Sequence, residues 1–314
     1  MLTFVGRRLL SAIPVLFVTT LLTFSMVHLI PGDAAVVAAG ESATIEQIEQ
    51  VRQRLGLDQP LVQQYLSWVG GMLQGDFGTS LFSSYKNSEA LKNALPVTLS
   101  LTVLALLWSL VLGVGAGSYA GLRKGRWQDR FVTAISTLGI SLPSFWIGIL
   151  LVALFGISLR WFPVGGYVPL LEDPVGWIRH LFLPSLALGV ATSAELTRQS
   201  RASTIDVAEQ DYIRTAAAKG LSPAQITFKH TSKNAAIPIV TVFGSQAAHL
   251  IGGSIIIEQV FRLPGLGSLA VRAVVAQDFP VIQALVVVVT VFVLAINLAV
   301  DMSYGYFNPK ARVR

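Results

Sequence analysis

Cysteine is absent from this sequence of 314 residues, and charged side chains make up only 13% of it. Without cysteine the chain has no disulfide bond, no thiol nucleophile and no cysteine-ligated metal site. Soluble domains carry about 25% charged residues, whereas 53% of this chain is hydrophobic. Uncharged runs that are long enough to cross a bilayer core of about 30 Å as a helix recur along the chain. The composition therefore predicts a membrane protein.

The positions of these runs predict an all-α polytopic membrane protein with six transmembrane helices. One run, 180–197, is interrupted only by Glu195 near its end. The other runs carry no charge and comprise residues 9–32, 93–122, 131–159, 234–257 and 279–300.

The first run follows two arginines, as the core of a signal peptide does. Residues 9–30 exceed the roughly 7–15 apolar residues of a cleavable signal, so we predict a retained helix, with a removable signal as the alternative. The chain then divides into an N-terminus with the first helix (1–32), an external helical segment (33–92) and a core of five helices (93–314).

Lysine and arginine are distributed unevenly over the predicted loops. Most of the 23 basic residues lie at the two termini and in segments 123–130 and 198–233, which six spans place on one side. In the segment 33–92, acidic residues outnumber basic ones. Cytoplasmic loops carry the excess of lysine and arginine. Both termini are therefore predicted to be cytoplasmic.

Two features inside the spans indicate packing rather than chemistry. Gly113, Gly117 and Gly121 recur at the spacing that lets membrane helices approach closely. A nucleotide-binding fingerprint requires a preceding strand, and no strand is predicted before the same stretch, GVGAGSYAG. Pro143 predicts a kink in the third span.

Two segments between spans are predicted to be helical. In residues 41–76 two amphipathic stretches flank a break at GLDQP, and this element could cover the outer mouth or contact a partner. The apolar residues of its first stretch are Ile45, Ile48, Val51 and Leu55. Residues 259–280 are too short and too polar to span, and they predict a short external helix or a re-entrant turn.

The stretch DYIRTAAAKGLSPAQITFKH is polar and begins at Asp211, between two predicted spans. Asp211 is a favoured N-cap residue, and the residues from Tyr212 to Lys219 are compatible with a helix. Gly220 suits the left-handed position just after a helix end. One short helix is therefore predicted to end at this glycine.

A second helix is predicted to begin directly afterwards. Ser222 is followed by Pro223 at the first helical position and by Gln225 three residues after the cap, which completes a capping box. The two helices would form a hairpin within residues 199–234. Its apolar faces could lie on the membrane, but three adjacent alanines anchor poorly there and suit close approach to another protein. A DNA-binding helix-turn-helix is disfavoured because the element is tethered at both ends.

The amino-acid sequence of the hairpin resembles that of a known family. The stretch resembles the cytoplasmic signature of permease subunits in ATP-driven, binding-protein-dependent importers. The form is the one typical of the peptide and nickel branch, and the matching parts are DYIRTA, then AKGL, and then His230 and Asn234. The general family form is Glu-Ala-Ala, three residues, then Gly. Here Arg214, Thr215 and Ala216 occupy the first three places before Gly220, so the glutamate is absent, as in the branch form.

The resemblance extends over nearly the whole chain. It is carried by VHLIPGD, LGLDQPLVQQYLSW, GDFGTSL, EQVFRLPGLG and NLAVDMSYGYFNPKAR, in this order. Together these motifs resemble the sequence of the B-type subunit of dipeptide, oligopeptide, glutathione and nickel permeases. The resemblance implies the transmembrane domain of a type I ABC importer in the inner membrane.

In that family the short helix inserts into a groove on an ATPase subunit, and ATP-driven closure of two ATPases moves it. For each charged residue of this helix, a solvated surface is the alternative interpretation. The residues that the resemblance assigns to ATPase coupling are Asp211, Tyr212, Arg214, Thr215, Ala216, Ala217, Ala218, Lys219 and Gly220.

A second group of residues is predicted to brace the hairpin rather than to bind a metal, because His230 and Asn234 alone would leave a metal site incomplete. This group consists of Ser222, Pro223, Gln225, His230 and Asn234.

The chain lacks a Gly-x-x-x-x-Gly-Lys-Ser/Thr loop, so we expect no catalytic residue and no cofactor of its own. ATP and magnesium are expected on partner ATPases. The other expected partners are a second homologous permease subunit, an external solute-binding protein and membrane lipid, but not nucleic acid.

The expected cargo is short peptides, with glutathione and nickel as alternatives within the family. An ion-coupled secondary transporter would favour buried acids at mid-span and inverted repeats, and neither is evident. A membrane-embedded enzyme would need a nucleophile and a base within the spans, and the HExxH and GxSxG motifs are absent.

Five polar residues near or within the spans remain. Glu195, Glu258 and Asp301 lie near span ends, which favours interface anchoring or pairing with a neighbouring arginine over contact with substrate. Gln246 and His249 lie within the fifth span, where they either line the pathway or pack. We assign substrate binding to none of them.

Overall fold

The structure is a computed structural model that describes residues 2–29, 34–39, 43–54, 56–82 and 85–307. Within these ranges the regular elements are helices, apart from an isolated antiparallel bridge between Thr79 and Lys86. The predicted all-α class is confirmed.

The helices include three π-helical segments, in which the turn is wider than in an α-helix. In chain order the elements are α1 (Leu2–Leu29), α2 (Ala34–Ala39), α3 (Ile45–Arg54), α4 (Leu61–Leu73), α5 (Asn87–Ser109), π1 (Leu110–Val114), α6 (Gly115–Gly121), α7 (Trp127–Ser141), α8 (Ser144–Leu151), π2 (Val152–Ser158), α9 (Pro174–Ala208), α10 (Asp211–Ala218), α11 (Pro223–Gln225), π3 (Ile226–Thr231), α12 (Ser232–Val260), α13 (Leu266–Val275) and α14 (Phe279–Phe307).

Five helical stretches of the described chain are long and apolar enough to cross a membrane. They are Gly6–Met26, Asn87–Gly121, Pro174–Ala208, Pro223–Val260 and Phe279–Met302. A sixth candidate is the pair α7 and α8–π2, which is bent by 101°. The predicted kink at Pro143 is thus a break, because Leu142, the residue before the proline, adopts the extended conformation that proline imposes on it.

Contacts at the two ends of the spans show that the bent pair crosses as well. Gly121, at the end of α6, packs against Thr204 near the end of α9. After π2, the Gly166 amide donates to the Phe261 carbonyl over 3.2 Å, at the end of α12. Since α12 begins at the α9 end and runs to the opposite side, the chain between Gly121 and Gly166 must cross. With the bent pair counted as one span, the described residues contain six spans.

The chain divides into two compact units, which are described separately. The first comprises Met1–Val5, Pro96–Gly267 and Ala295–Arg314, and the second comprises Gly6–Leu95 and Ser268–Leu294.

The core of the first unit is built from buried leucines and one phenylalanine. Leu101 of α5, Leu181 of α9 and Leu250 of α12 are buried together with Phe261. Close approach of α6 to α9 depends on glycine, since a Cβ on Gly117 would lie 2.4 Å from the Thr197 carbonyl oxygen. The interpretation of the glycine stripe as a helix interface is confirmed.

The second unit contains the helical segment predicted after the first span. Residues of α3 and α4 correspond to its two amphipathic stretches, and Gly56 with φ +68° lies in the break between them. Leu55 lies outside the described residues. On α4, Tyr65 packs edge-on against Phe24 of α1 with ring centroids 5.5 Å apart. The short helix predicted within 259–280 is α13.

Candidate functional site

The long helix α9 carries the predicted coupling hairpin at its end. Its 35 residues extend about 50 Å at 1.5 Å per residue, whereas the hydrocarbon core of a bilayer is about 30 Å thick. The polar last turns, from Arg198 to Ala208, therefore project beyond the membrane. Gln210 alone then changes the chain direction between α9 and α10.

The start of α10 differs from the prediction. Asp211 is the first helical residue, and Gln210, with φ −70° and ψ 146°, occupies the N-cap position without a side-chain cap. Because α9 continues to Ala208, Gln210 must make the turn, and its carbonyl accepts the first helical bond, from Ile213 N over 3.0 Å. The N-cap role predicted for Asp211 is wrong, although its carboxylate still lies in the first turn, where the helix dipole favours negative charge.

The end of α10 is as predicted. Gly220 has φ +83°, the left-handed conformation that glycine adopts most readily. Its amide donates to the Ala217 carbonyl over 2.9 Å, and the Leu221 amide donates to the Ala216 carbonyl over 3.3 Å. These two bonds form a Schellman motif, which satisfies the last carbonyls of the helix. The turn is therefore rigidly closed.

The second arm of the hairpin begins with the predicted capping box. The Gln225 amide donates to Ser222 Oγ over 3.3 Å, and the Ser222 amide donates to Gln225 Oε1 over 3.0 Å, with Pro223 at the first helical position. However, this arm is not a separate helix. It continues through π3 into α12, so the fifth span begins at Pro223 rather than near Asn234.

The π3 segment was not predicted. In its wide turn the Thr227 carbonyl accepts from the Ser232 amide, five residues ahead, and also from Ser232 Oγ over 2.9 Å. Such π-helical turns are frequent at functional sites. The only sequence signal for it is the serine at this spacing.

Two contacts hold α10 against π3 and α12. Ile213 is the buried residue of α10, and Asn234 Nδ2 donates to Tyr212 Oη over 3.0 Å and to the His230 carbonyl over 2.9 Å. The predicted bracing by Asn234 thus has a direct partner, whereas His230 contributes its backbone carbonyl. Among the described residues no group of three metal-ligating side chains occurs.

The remaining surface of α10 is open to solvent. Ala216 is half-buried, while the other small residues and the charged residues are exposed. Arg214 and Asp211 approach each other at 3.6 Å, but both are well exposed, so this pair adds little stability. The exposed residues are Asp211, Tyr212, Arg214, Thr215, Ala217, Ala218, Lys219 and Gly220.

An ion pair fixes the last turns of α9 to the first turn of α7. Arg201 donates from Nε to Asp129 Oδ1 and from Nη2 to Asp129 Oδ2 over 2.9 Å. The Gly125 amide donates to the same Oδ2 over 2.9 Å. Asp129 is almost fully buried, and such a two-pronged guanidinium contact is directional. From the sequence, Arg201 was counted only as one of the basic residues of its segment.

Comparison with known proteins identifies the chain. The model of the family described as "Binding-protein-dependent transport system inner membrane component" matches residues 113–313, and the model of its N-terminal part matches residues 1–102. The chain belongs to this family. It is a multi-pass permease of the inner membrane.

Two relatives are similar over their full length. A putative peptide transport system permease protein of Brucella abortus (strain 2308) is 42% identical over 306 residues, which cover 98% of both chains. The glutathione transport system permease protein GsiC of Escherichia coli (strain K12) is 43% identical over 314 residues, which cover both chains completely.

A solved structure supports the fold. A chain of the MetNI methionine ABC transporter in an inward-facing conformation matches with a TM-score of 0.58 and 19% identity, over 70% of this chain and 97% of that chain. The permease therefore has the fold of an ABC importer transmembrane subunit.

Of the acidic residues predicted near span ends, Glu195 behaves as expected. It pairs with Arg198, which follows three residues later, at 2.7 Å. Asp301 is half-buried. In the fifth span, Gln246 is half-buried and His249 is exposed.

Glu258 is buried in the permease rather than placed at the membrane interface. Thr98 Oγ1 donates to its carboxylate over 2.7 Å and accepts from the Leu266 amide over 2.8 Å. A Cβ on Gly265 would lie 2.5 Å from this carboxylate, so glycine is needed there for the close approach. Thr98 of α5 therefore links Glu258 of α12 to the start of α13.

Proposed function

We propose that this permease imports short peptides and that partner ATPases drive it through α10. The observation that carries the proposal is a combination of three features of this helix. Its last turn is closed at Gly220, and its inner face is held in place by the burial of Ile213 and by the hydrogen bond from Asn234. Its outer face exposes small residues. A short helix held in this way moves as a unit, whereas a flexible loop would dissipate the displacement.

The exposed face suits close docking. Ala217 and Ala218 let the backbone of α10 approach a partner groove, and Arg214 and Lys219 flank them with positive charge. An acidic rim on the ATPase groove would complement these two residues.

A displacement of α10 would reach two spans directly. At one end only Glu209 and Gln210 separate α10 from α9, whose last turns are fixed by the Asp129–Arg201 pair. At the other end, the arm that begins at Pro223 is continuous with α12. Movement of the ATPases would therefore reorient α9 and α12 together, which is the mechanical requirement for alternating access.

The proposed assembly has four kinds of component. Besides this chain it contains a second homologous permease subunit, two ATPases that bind ATP and magnesium, and an external solute-binding protein. The ATPases are cytoplasmic, so α10 and both termini are placed on the cytoplasmic side.

The proposed cargo class follows from the relatives. One is named for peptide transport and another for glutathione transport, at nearly the same identity to this chain. Glutathione is itself a small peptide, so both names are consistent with short peptides as the cargo of this chain. Nickel import is the alternative within the branch.

The cargo is tested by ATP hydrolysis in the purified complex. We expect the binding protein loaded with short peptides or glutathione to stimulate hydrolysis, because cargo release requires the coupled motion of α10. Binding protein without ligand is the control. Stimulation only by a nickel-loaded binding protein would overturn the peptide assignment.

The proposed orientation is tested by labelling. Because the chain contains no cysteine, single cysteines at positions 215 and 60 can be labelled without background. A membrane-impermeant maleimide should label position 60 in intact cells and position 215 only after the membrane is opened. The unmodified chain serves as the control, and labelling of both positions from the same side would contradict the orientation.

A further inference from the structure

A small pocket in the second unit lies apart from the coupling hairpin. It has a volume of about 180 Å³, the space of roughly six water molecules. Its polar lining includes Ser80, Asn87, Arg272 and Asp278. These residues come from segments 33–92 and 259–280, both of which are predicted to be external.

The walls of the pocket are held by specific hydrogen bonds. Ser80 Oγ and the Leu81 amide both donate to the Asp278 carboxylate, the latter over 3.2 Å. Asn87 Nδ2 donates to the Phe77 carbonyl over 2.9 Å. The loop before α5 is thereby attached to the turn before α14, and the pocket is a preformed feature of the unit.

One buried acceptor in this pocket has no donor. Asn87 is 1% exposed, and its Oδ1 accepts no hydrogen bond from the described part of the chain. A buried polar atom in this situation is costly unless a donor reaches it. The atom is closed to a molecule the size of water, so a ligand in the pocket would reach it only if the side chain moved.

Two opposite charges line the same pocket without pairing. Asp278 is 5% exposed and Arg272 is exposed on the last turn of α13. No ion pair within 4.0 Å joins Arg272 to an acidic side chain in the described ranges. Each carboxylate oxygen of Asp278 holds one donor and retains capacity for another. The residues that line the pocket thus supply both a carboxylate acceptor and a guanidinium.

We propose that this pocket binds a small zwitterion, either a free amino acid or a short peptide. The ammonium group would donate to the Asp278 carboxylate, and the carboxylate group of the ligand would accept from Arg272. Guanidinium groups recognise carboxylates through paired hydrogen bonds. The size of the pocket limits the ligand to an amino acid, a dipeptide or one end of a longer peptide.

The proposal does not rest on the proposed cargo or on the coupling mechanism. It is tested with the purified complex in nanodiscs, without ATP and without a binding protein, so that failure of transport does not affect the result. Glycylglycine is titrated by isothermal calorimetry, together with N-acetyl-glycylglycine and glycylglycinamide, which each lack one terminal charge. We expect binding of glycylglycine and a loss of roughly tenfold or more for either blocked analogue.

Variants then assign the binding to this pocket. Arg272→Gln should weaken glycylglycine binding roughly ten- to hundredfold, because it removes a charged donor, and Arg272→Lys should recover part of the loss. Arg262→Gln, an exposed arginine that does not line the pocket, is the matched control and should bind as the parent does. Glycine titrated in parallel distinguishes a site for free amino acids from one for peptides.

Three results would overturn the proposal. They are equal binding of the N-acetylated analogue, unchanged binding by Arg272→Gln, and no binding of any zwitterion by the parent complex.

Discussion

Replacing Gly220 with valine is expected to reduce transport roughly five- to thirtyfold while the complex still inserts into the membrane. Gly220 has φ +83°, and no heavy atom lies within 4 Å of the position that a Cβ would take. The cost therefore comes from the backbone. The left-handed conformation costs a residue with a Cβ about 1–2 kcal/mol, and more for a β-branched one.

The strain acts on the part of the hairpin that closes α10. If Gly220 leaves the left-handed region, the bonds from Gly220 N to Ala217 O and from Leu221 N to Ala216 O are lost. The last turn of α10 then frays, and its exposed face no longer has one orientation. We expect cargo-stimulated ATP hydrolysis to be uncoupled from uptake, or the ATPase subunits to dissociate from the complex.

Uptake into proteoliposomes and ATP hydrolysis should be measured on the same preparation. Gly220→Asn is the matched control, because asparagine tolerates the left-handed region, and it should retain most of the transport. Normal transport by Gly220→Val would rule out the coupling role of this turn.

Gly117→Ala is expected to destabilise the permease by about 1–3 kcal/mol, the typical cost of overpacking. The new Cβ would lie 2.4 Å from the Thr197 carbonyl oxygen and 2.7 Å from Ser200 Cβ. The first of these is a backbone atom, which a rotamer change cannot move. The helices α6 and α9 must therefore separate, and their close contact along this face is lost.

A second glycine of the same helix provides the control. A Cβ on Gly115 would meet no heavy atom within 4 Å. Gly115→Ala is therefore expected to stabilise the permease through helix propensity alone, by up to about 1 kcal/mol. Thermal unfolding of the purified complex should show opposite shifts for the two variants. A similar shift for both would mean that the contact at Gly117 does not limit helix packing.

Local signals predicted the hairpin well because they act between near neighbours. The capping box of Ser222 and Gln225 spans three residues, and the turn at Gly220 depends on one backbone angle. The start of α10 was misplaced for a related reason. Asp211 is a good N-cap residue, but the length of the preceding α9 left Gln210 to make the turn.

Contacts between distant residues could not be predicted in the same way. Arg201 meets Asp129 across 72 residues, and Thr98 meets Glu258 across 160 residues. Neither pair has a sequence spacing that indicates contact. Arg201 could equally have been a solvated residue, and Glu258 could have lain at the membrane interface.

The sequence by itself determined that this is an all-α membrane protein, since uncharged runs of bilayer length leave few other ways to bury apolar surface and satisfy the backbone. It also determined where α10 ends, because Gly220 and Ser222 act on their immediate neighbours. Only the tertiary structure decided that the bent third span crosses, that the second arm of the hairpin is part of α12, and that Asn87, Arg272 and Asp278 share a pocket. These features depend on which helices lie side by side, and packing between distant segments sets that arrangement.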